Sequence, residues 1–248
     1  MKKAFIYSFI LLTGLVLGCK KDHKTNHTYL LSQQITDQRG DGLPIDTANY
    51  TYDEHDRIST ITDGTLPSQV KYTIAYDNQN RVTTARKFDG SGNLIIQFDF
   101  FYRGDTTGYY FHAPTSSGPA DTAFLIFDTK HQVTQIATKH SGSTVFEYDT
   151  KGNVSYTQNY SSGGATSVDN QTSFSYDSQH SPFAQTMRNN YFFMYVVRIG
   201  NPSTLINNVV VRNADTYSYT YNKDGFPTQG IISTVKSNIY LYFNYIIK

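Results

Sequence analysis

Acidic side chains recur directly behind an aromatic residue in this 248-residue chain, at Asp53, Asp77, Asp89, Asp128, Asp149 and Asp177. Carboxylates in that number could supply general acids and bases, or oxygen ligands for calcium. Their surroundings assign them another role. Each sits in a seven-residue phrase of aromatic, Asp, two spacers, a turn-tolerant residue, a polar residue and an aliphatic. Its clearest copies are Tyr52-Asp53-Glu54-His55-Asp56-Arg57-Ile58, Tyr76-Asp77-Asn78-Gln79-Asn80-Arg81-Val82 and Tyr148-Asp149-Thr150-Lys151-Gly152-Asn153-Val154. An Asp opening a type I turn accepts the backbone N–H two residues on, so the phrase accounts for its carboxylates without a site.

Other chemistry-bearing types form no recognisable set. The seven histidines show no His-Glu-x-x-His spacing and no Cys/His grouping, so no metal ligands are assigned. Asn222-Lys223-Asp224-Gly225 has the start of a calcium loop but lacks its later ligands and terminal Glu. Neither a Gly-x-Ser-x-Gly elbow nor a phosphate-cradling glycine loop before a helix is present. No catalytic residue and no cofactor are therefore expected, and the chain is read as a non-enzyme. Two Arg-Gly-Asp triplets, at 39–41 and 103–105, are accounted for by turns. The strand Tyr191 to Ile199 is apolar on both faces, and Tyr191, Phe192, Phe193 and Tyr195 mark it as a possible ligand or partner surface. Ile239 to Ile247 is the second such stretch.

The elements that must hold these residues follow from the phrase. Three residues after Asp53, Asp77, Asp89, Asp128, Asp149 and Asn222 stand Asp56, Asn80, Gly92, His131, Gly152 and Gly225, types that tolerate positive φ and close a hairpin through a bulge. Weaker copies run from Phe88 to Leu94, Phe127 to Val133, Tyr176 to Pro182 and Tyr221 to Pro227, with Pro as the last residue in two of them. Upstream residues alternate as strands do. Tyr50 and Tyr52, Phe146 and Tyr148, and Tyr217, Tyr219 and Tyr221 face one way; Thr51, Glu147, Ser218 and Thr220 face the other. Ile58 and Ile61, like Val133 and Ile136, sit three apart, which predicts a bulge in each returning strand. The 24 residues from Tyr52 to Tyr76 place two turns on one edge of a meander, and the 12 from Tyr76 to Phe88 place that turn on the opposite edge. The predicted fold is all-β, an antiparallel hairpin meander curled into an open or closed barrel-like sheet that buries its aromatic face.

The N-terminus has its own pattern. Met1, Lys2 and Lys3 precede an uncharged run from Ala4 to Gly18, and Cys19 follows. Residues 1–18 read as a secretory signal, 19–26 as a polar tether and 27–248 as one β-repeat domain. Removing Lys2 and Lys3 leaves 19 basic against 20 acidic residues, and without a basic patch no nucleic-acid partner is expected. Trp is absent, so 21 Tyr and 16 Phe must carry the core.

Val16-Leu17-Gly18-Cys19 resembles the lipobox of bacterial lipoproteins. That resemblance implies lipidation of Cys19 and a membrane partner through the anchor. Lys20 behind the Cys favours the outer membrane, with the facing side open between periplasm and exterior. The repeated phrase resembles the YD repeats of Rhs-type and wall-associated bacterial proteins. Together with the lipobox it is similar to YD-repeat lipoproteins of unknown function from Bacteroidota, which implies a porin-like, curled antiparallel fold. Asp46-Thr47-Ala48 and Asp121-Thr122-Ala123 resemble Bacteroidota O-glycosylation sites, which implies Thr47 and Thr122 as modified positions in exposed segments. The functional expectation is an envelope module that binds a glycan, peptide or protein partner. The alternatives are a carrier of a small apolar ligand, an outer-membrane barrel, or an enzyme.

Overall fold

A computed structural model describes residues 27–38, 40, 46–64, 68–104, 106–114, 121–140, 142–161, 168–186 and 206–248. Among them run sixteen strands: β1 Tyr29–Asp37, β2 Asp46–Tyr52, β3 Ile58–Asp63, β4 Val70–Tyr76, β5 Val82–Phe88, β6 Leu94–Arg103, β7 Thr106–His112 and β8 Asp121–Phe127. The second half comprises β9 Val133–Thr138, β10 Gly142–Tyr148, β11 Val154–Tyr160, β12 Val168–His180, β13 Asn207–Arg212, β14 Asp215–Tyr221, β15 Pro227–Ser233 and β16 Asn238–Ile247. Each strand pairs antiparallel with its sequence neighbours, and β1 pairs with β16, so the meander is a closed barrel. Closure leaves no sheet edge open to another chain.

The phrase builds the hairpins as its chemistry requires. Asp53 N–H donates to Arg57 O and Asp56 N–H to Asp53 O, and the same pair of bonds recurs at Asp77, Asp89, Asp128, Asp149 and Asn222. Asp56, Asn80, His131, Gly92, Gly152 and Gly225 all have positive φ. The returning strand carries the bulge that the Ile58/Ile61 spacing predicts: Tyr52 pairs with Ile58 and Thr51 with Thr60, leaving Ser59 unmatched. This keeps both isoleucines inward, and both are fully buried.

Six of these aromatic positions lie at one rim, called here the turn rim. Eight even-numbered strands end there, and each presents an inward ring: Tyr52, Tyr76, Tyr102, Phe127, Tyr148, Tyr176, Tyr221 and Tyr245. Six of the tyrosines donate their hydroxyl to a carbonyl near the start of the preceding strand. The acceptors of Tyr52, Tyr76, Tyr102, Tyr148, Tyr176 and Tyr245 are Leu31, Ile58, Val82, Val133, Val154 and Pro227, at 2.5 to 2.9 Å. The barrel is thus a ring of eight hairpin units. Tyr102 and Tyr245 belong to it without an Asp turn behind them.

The Tyr176 unit corrects the sequence reading. Pro182 is not its aliphatic residue; Val209 is, because Tyr176 pairs with Val209 as Tyr52 does with Ile58. Gln179 N–H donates to Asp177 Oδ1 as in every other copy, while the remaining bonds come from Asn208, whose N–H reaches Oδ1 and whose Nδ2 reaches Oδ2. The segment from Ser181 to Ile206 is therefore an insertion inside one turn of the repeat. Its first residues fold back on the barrel, where Phe183 is buried edge-on against Tyr50.

A round barrel of sixteen strands would leave an aqueous channel. Here the inward side chains Leu31, Ile58, Ile61, Val82, Ala85, Ala123, Leu125, Val133 and Ile136 belong to one buried cluster with Tyr50, Tyr72, Phe98, Phe100 and Tyr109. Burial of each larger member contributes about 1.5–3 kcal/mol. The outer wall is hydroxylic and charged, with Thr51, Lys71, Arg86, Glu147, Ser175, Ser218 and Thr220 exposed. One departure lies on β6 to β8, where Phe101 packs on Tyr110 and Phe124. Gly108 permits this, since a Cβ there would meet the Phe101 ring at 2.5 Å and Ala123 O at 2.4 Å.

Candidate functional site

The rim opposite the turns, the loop rim, holds the connections 38–45, 64–69, 89–93, 113–120, 139–141, 161–167, 213–214 and 234–237. Only 89–93 there is a copy of the phrase. Strand alternation brings several ionisable side chains to the inner face at this mouth. Asp46 opens β2 opposite Thr36, in the inward register of Ala48 and Tyr50. Asp63 closes β3 opposite inward Val70, and Lys87 on β5 lies opposite buried Tyr72. Lys87 Nζ stands 5.3 Å from the centroid of the Tyr72 ring.

Electrostatics distinguish this group from the turn carboxylates. Burial raises the Asp63 carboxyl above its ordinary value, the Asp46 charge raises it further, and Lys87 opposes both only in part. The Tyr50 phenol is pushed up by burial first and then by Asp63. Asp53 and Asp77 shift the other way. Burial alone would raise them, but the backbone N–H and guanidinium bonds they accept outweigh it and hold both low. Arg57 Nε lies 2.7 Å from Asp53 Oδ2 and Arg81 Nε 2.8 Å from Asp77 Oδ2. Each guanidinium also stacks on the ring of the next unit, Arg57 over Tyr76 at 4.5 Å and Arg81 over Tyr102 at 4.3 Å.

On the far side of the loop rim, Asp121 Oδ1 lies 3.0 Å from His140 Nδ1. Burial raises the Tyr217 phenol, against an opposing hydrogen bond from Arg212. The mouth can thus offer hydrogen bonds and charges of both signs to a polar ligand. Among the described residues no group of three His, Cys, Asp or Glu side chains is placed to hold a metal ion.

The two Asp-Thr-Ala triplets occupy equivalent places, the first three residues of β2 and β8 at the loop rim. In each, the Asp Oδ1 accepts the Thr N–H at 2.8 Å, Ala points inward and Thr outward. Thr47 and Thr122 are half-buried strand residues on the outer face. Cys19 and the aromatic group Tyr191, Phe192, Phe193 and Tyr195 lie outside the described residues. Sequence reasoning missed Asp46, Asp63 and Lys87 as a group. Their alternation with Ala48, Ile61 and Ala85 was the available signal.

No family model matches the chain, and no curated protein matches it. Among solved structures, it is similar to a porin-like protein from Bacteroides uniformis, at 13% identity over 87% of this chain and 96% of that one, with a TM-score of 0.53. A porin-like protein from Bacteroides vulgatus is 12% identical over 88% of this chain and 99% of that one, with a TM-score of 0.38. A chain of the TcdB2-TccC3-Cdc42 complex aligns at 14% identity with 82% of this chain and 10% of its own length, at a TM-score of 0.22. The Bacteroides uniformis likeness is one of fold: an all-β meander closed into a barrel.

Proposed function

We propose that the chain is a non-enzymatic module of the bacterial envelope, lipid-anchored at Cys19 in the outer membrane, whose barrel presents the loop rim to a glycan, peptide or protein partner. The observation that carries this reading is the division of labour between the rims. Stereotyped hairpins build the turn rim, whereas the loop rim departs from the repeat and carries Asp46, Asp63 and Lys87 inside its mouth. Loops free of a structural code on a rigid scaffold are where recognition concentrates. Tyr191, Phe192, Phe193 and Tyr195 lie outside the described residues, and the proposal does not rest on them.

Polarity supports a barrel standing in water. A spanning barrel has an apolar outer band and a polar interior, and this one has the reverse. Glycan- and peptide-array binding tests the reading: replacing 64–69 with Gly/Ser or making Asp63→Asn and Lys87→Gln is expected to abolish a signal that turn-rim variants keep. Binding that survives these changes would sink it. A carrier of a small apolar ligand is the second reading, favoured by inward side chains that are only partly buried, Phe174, Tyr219, Ile232 and Ile239. Uptake of a fluorescent fatty acid, lost on Tyr219→Ala, would select it.

A further inference from the structure

Where the chain enters the barrel suggests which way the barrel stands. The described residues begin at His27, and Thr28 exchanges backbone hydrogen bonds with Lys248 at the turn rim. Eight residues from Cys19 to His27 span at most about 26–29 Å. An anchor at Cys19 therefore holds the turn rim near the bilayer surface.

The chemistry of that rim agrees. Exposed apolar side chains occur at three places around it: Ile126 on β8 (47% exposed), Ile206 before β13 (40%), and Ile246 and Ile247 on β16 (42% and 58%). Phe124 continues the β8 position along the outer wall. Between these places stand exposed Arg103, Lys130, Lys151 and Lys223, at the tips of the turns. The rim's acidic groups are hydrogen-bonded and keep their charge. Asp53, Asp77, Asp128 and Asp149 accept bonds within their own turns, Asp224 accepts the Tyr29 hydroxyl, and Asp56 faces Lys248. Among the described residues Asp53, Asp77 and Asp56 are paired with cations, so Asp128, Asp149, Asp177, Asp224 and exposed Glu54 balance the four exposed cations. The loop rim offers Ile95 and Val235 as exposed apolar residues, together with exposed Lys139, Arg212 and Lys236.

We infer that the turn rim is a docking surface for a lipid bilayer, on which the barrel stands end-on with its apolar side chains at the headgroup level. Apolar contacts distributed around a circular rim suit a plane, whereas a protein partner would select one sector of it. The inference deepens the proposed function, on whose anchor at Cys19 it rests, by naming what covers the end opposite the loop rim.

Absence of Trp from the chain makes the test direct. The full chain, expressed with its own leader and purified from membranes, carries one introduced Trp per variant: Ile247→Trp or Ile126→Trp at the turn rim, Val235→Trp or Ile95→Trp at the loop rim. Each is reconstituted into phosphatidylethanolamine–phosphatidylglycerol vesicles with brominated acyl chains. Fluorescence is expected to fall at least twofold at 247 and 126, to stay unchanged at 235 and 95, and to recover at 247 when Ile126, Ile206 and Ile246 are changed to Asp. Equal quenching at both rims, quenching at the loop rim alone, or none at either overturns the inference. Acylation is read separately from the mass of the N-terminal peptide. An acylated chain without turn-rim quenching overturns the contact and leaves the anchor, and an unacylated chain with quenching does the reverse.

Discussion

The two rims of this barrel are built from the same strands by different rules. At the turn rim a short local code is repeated: Asp organises the turn, Arg or Asn clamps the carboxylate, an inward Tyr caps the neighbouring strand's carbonyl, and an aliphatic returns the chain to the core. At the loop rim the strands are joined by segments of unequal length, and the inward residues include Asp46, Asp63 and Lys87 in place of a ring of tyrosines. Regularity at one end carries stability, and that frees the other end to vary. The Asp89 turn shows that the code belongs to the hairpin and not to a rim. It forms the same bonds at the loop rim, where register turns Phe88 outward and Lys87 inward.

The comparison can be broken most forcefully through the aliphatic of the code. Ile58→Ala empties a fully buried position beside the turn rim and is expected to cost about 2–5 kcal/mol in denaturant unfolding. Next comes Asp77→Ala, which leaves the Gln79 and Arg81 N–H groups without their carboxylate and is expected to cost about 1–3 kcal/mol. Tyr76→Phe removes the bond to Ile58 O and should cost about 0.5–1.5 kcal/mol by the same measurement.

Titration sharpens the contrast because the signs oppose. Asp53, Asp77 and Asp149 are held low in the fold, so their stabilisation is present above the unfolded Asp value of about 3.9 and is lost as pH falls through their folded values. Asp63 is held high, so ionising it opposes folding. Stability should rise as pH drops from its folded value towards the unfolded one, and Asp63→Asn should be neutral to stabilising at pH 7. Unfolding midpoints of the wild type and Asp63→Asn compared between pH 3 and pH 7 would show it. A midpoint lowered at pH 7 by the substitution would contradict this account of the mouth. The smallest effect is expected from lengthening a loop-rim connection. Doubling 64–69 with Gly/Ser should cost about 0.6 kcal/mol, read from the same unfolding curves.

Much of the hairpin chemistry was legible because it is local. An Asp, two spacers and a residue tolerant of positive φ contain all the atoms of the turn, and the three-residue gap between Ile58 and Ile61 contains the bulge. Tyr102 and Tyr245 escaped notice because their places in the ring depend on neighbouring strands and no Asp turn follows them. The Tyr176 copy was misread at Pro182 because the residues completing it, Asn208 and Val209, lie beyond an insertion that only folding brings back. Alternation could have marked Asp46, Asp63 and Lys87 singly, but their convergence needs three strands in register.

By itself the sequence determined the turns, the inward and outward faces of most strands and the antiparallel order, since these follow from side-chain types over a few residues. The tertiary structure alone decided between an open and a closed sheet. Tyr29 meets Ile247 and Asp37 meets Tyr240 across nearly the whole chain, and no local pattern encodes a pairing whose partners are set by the summed curl of the strands between them.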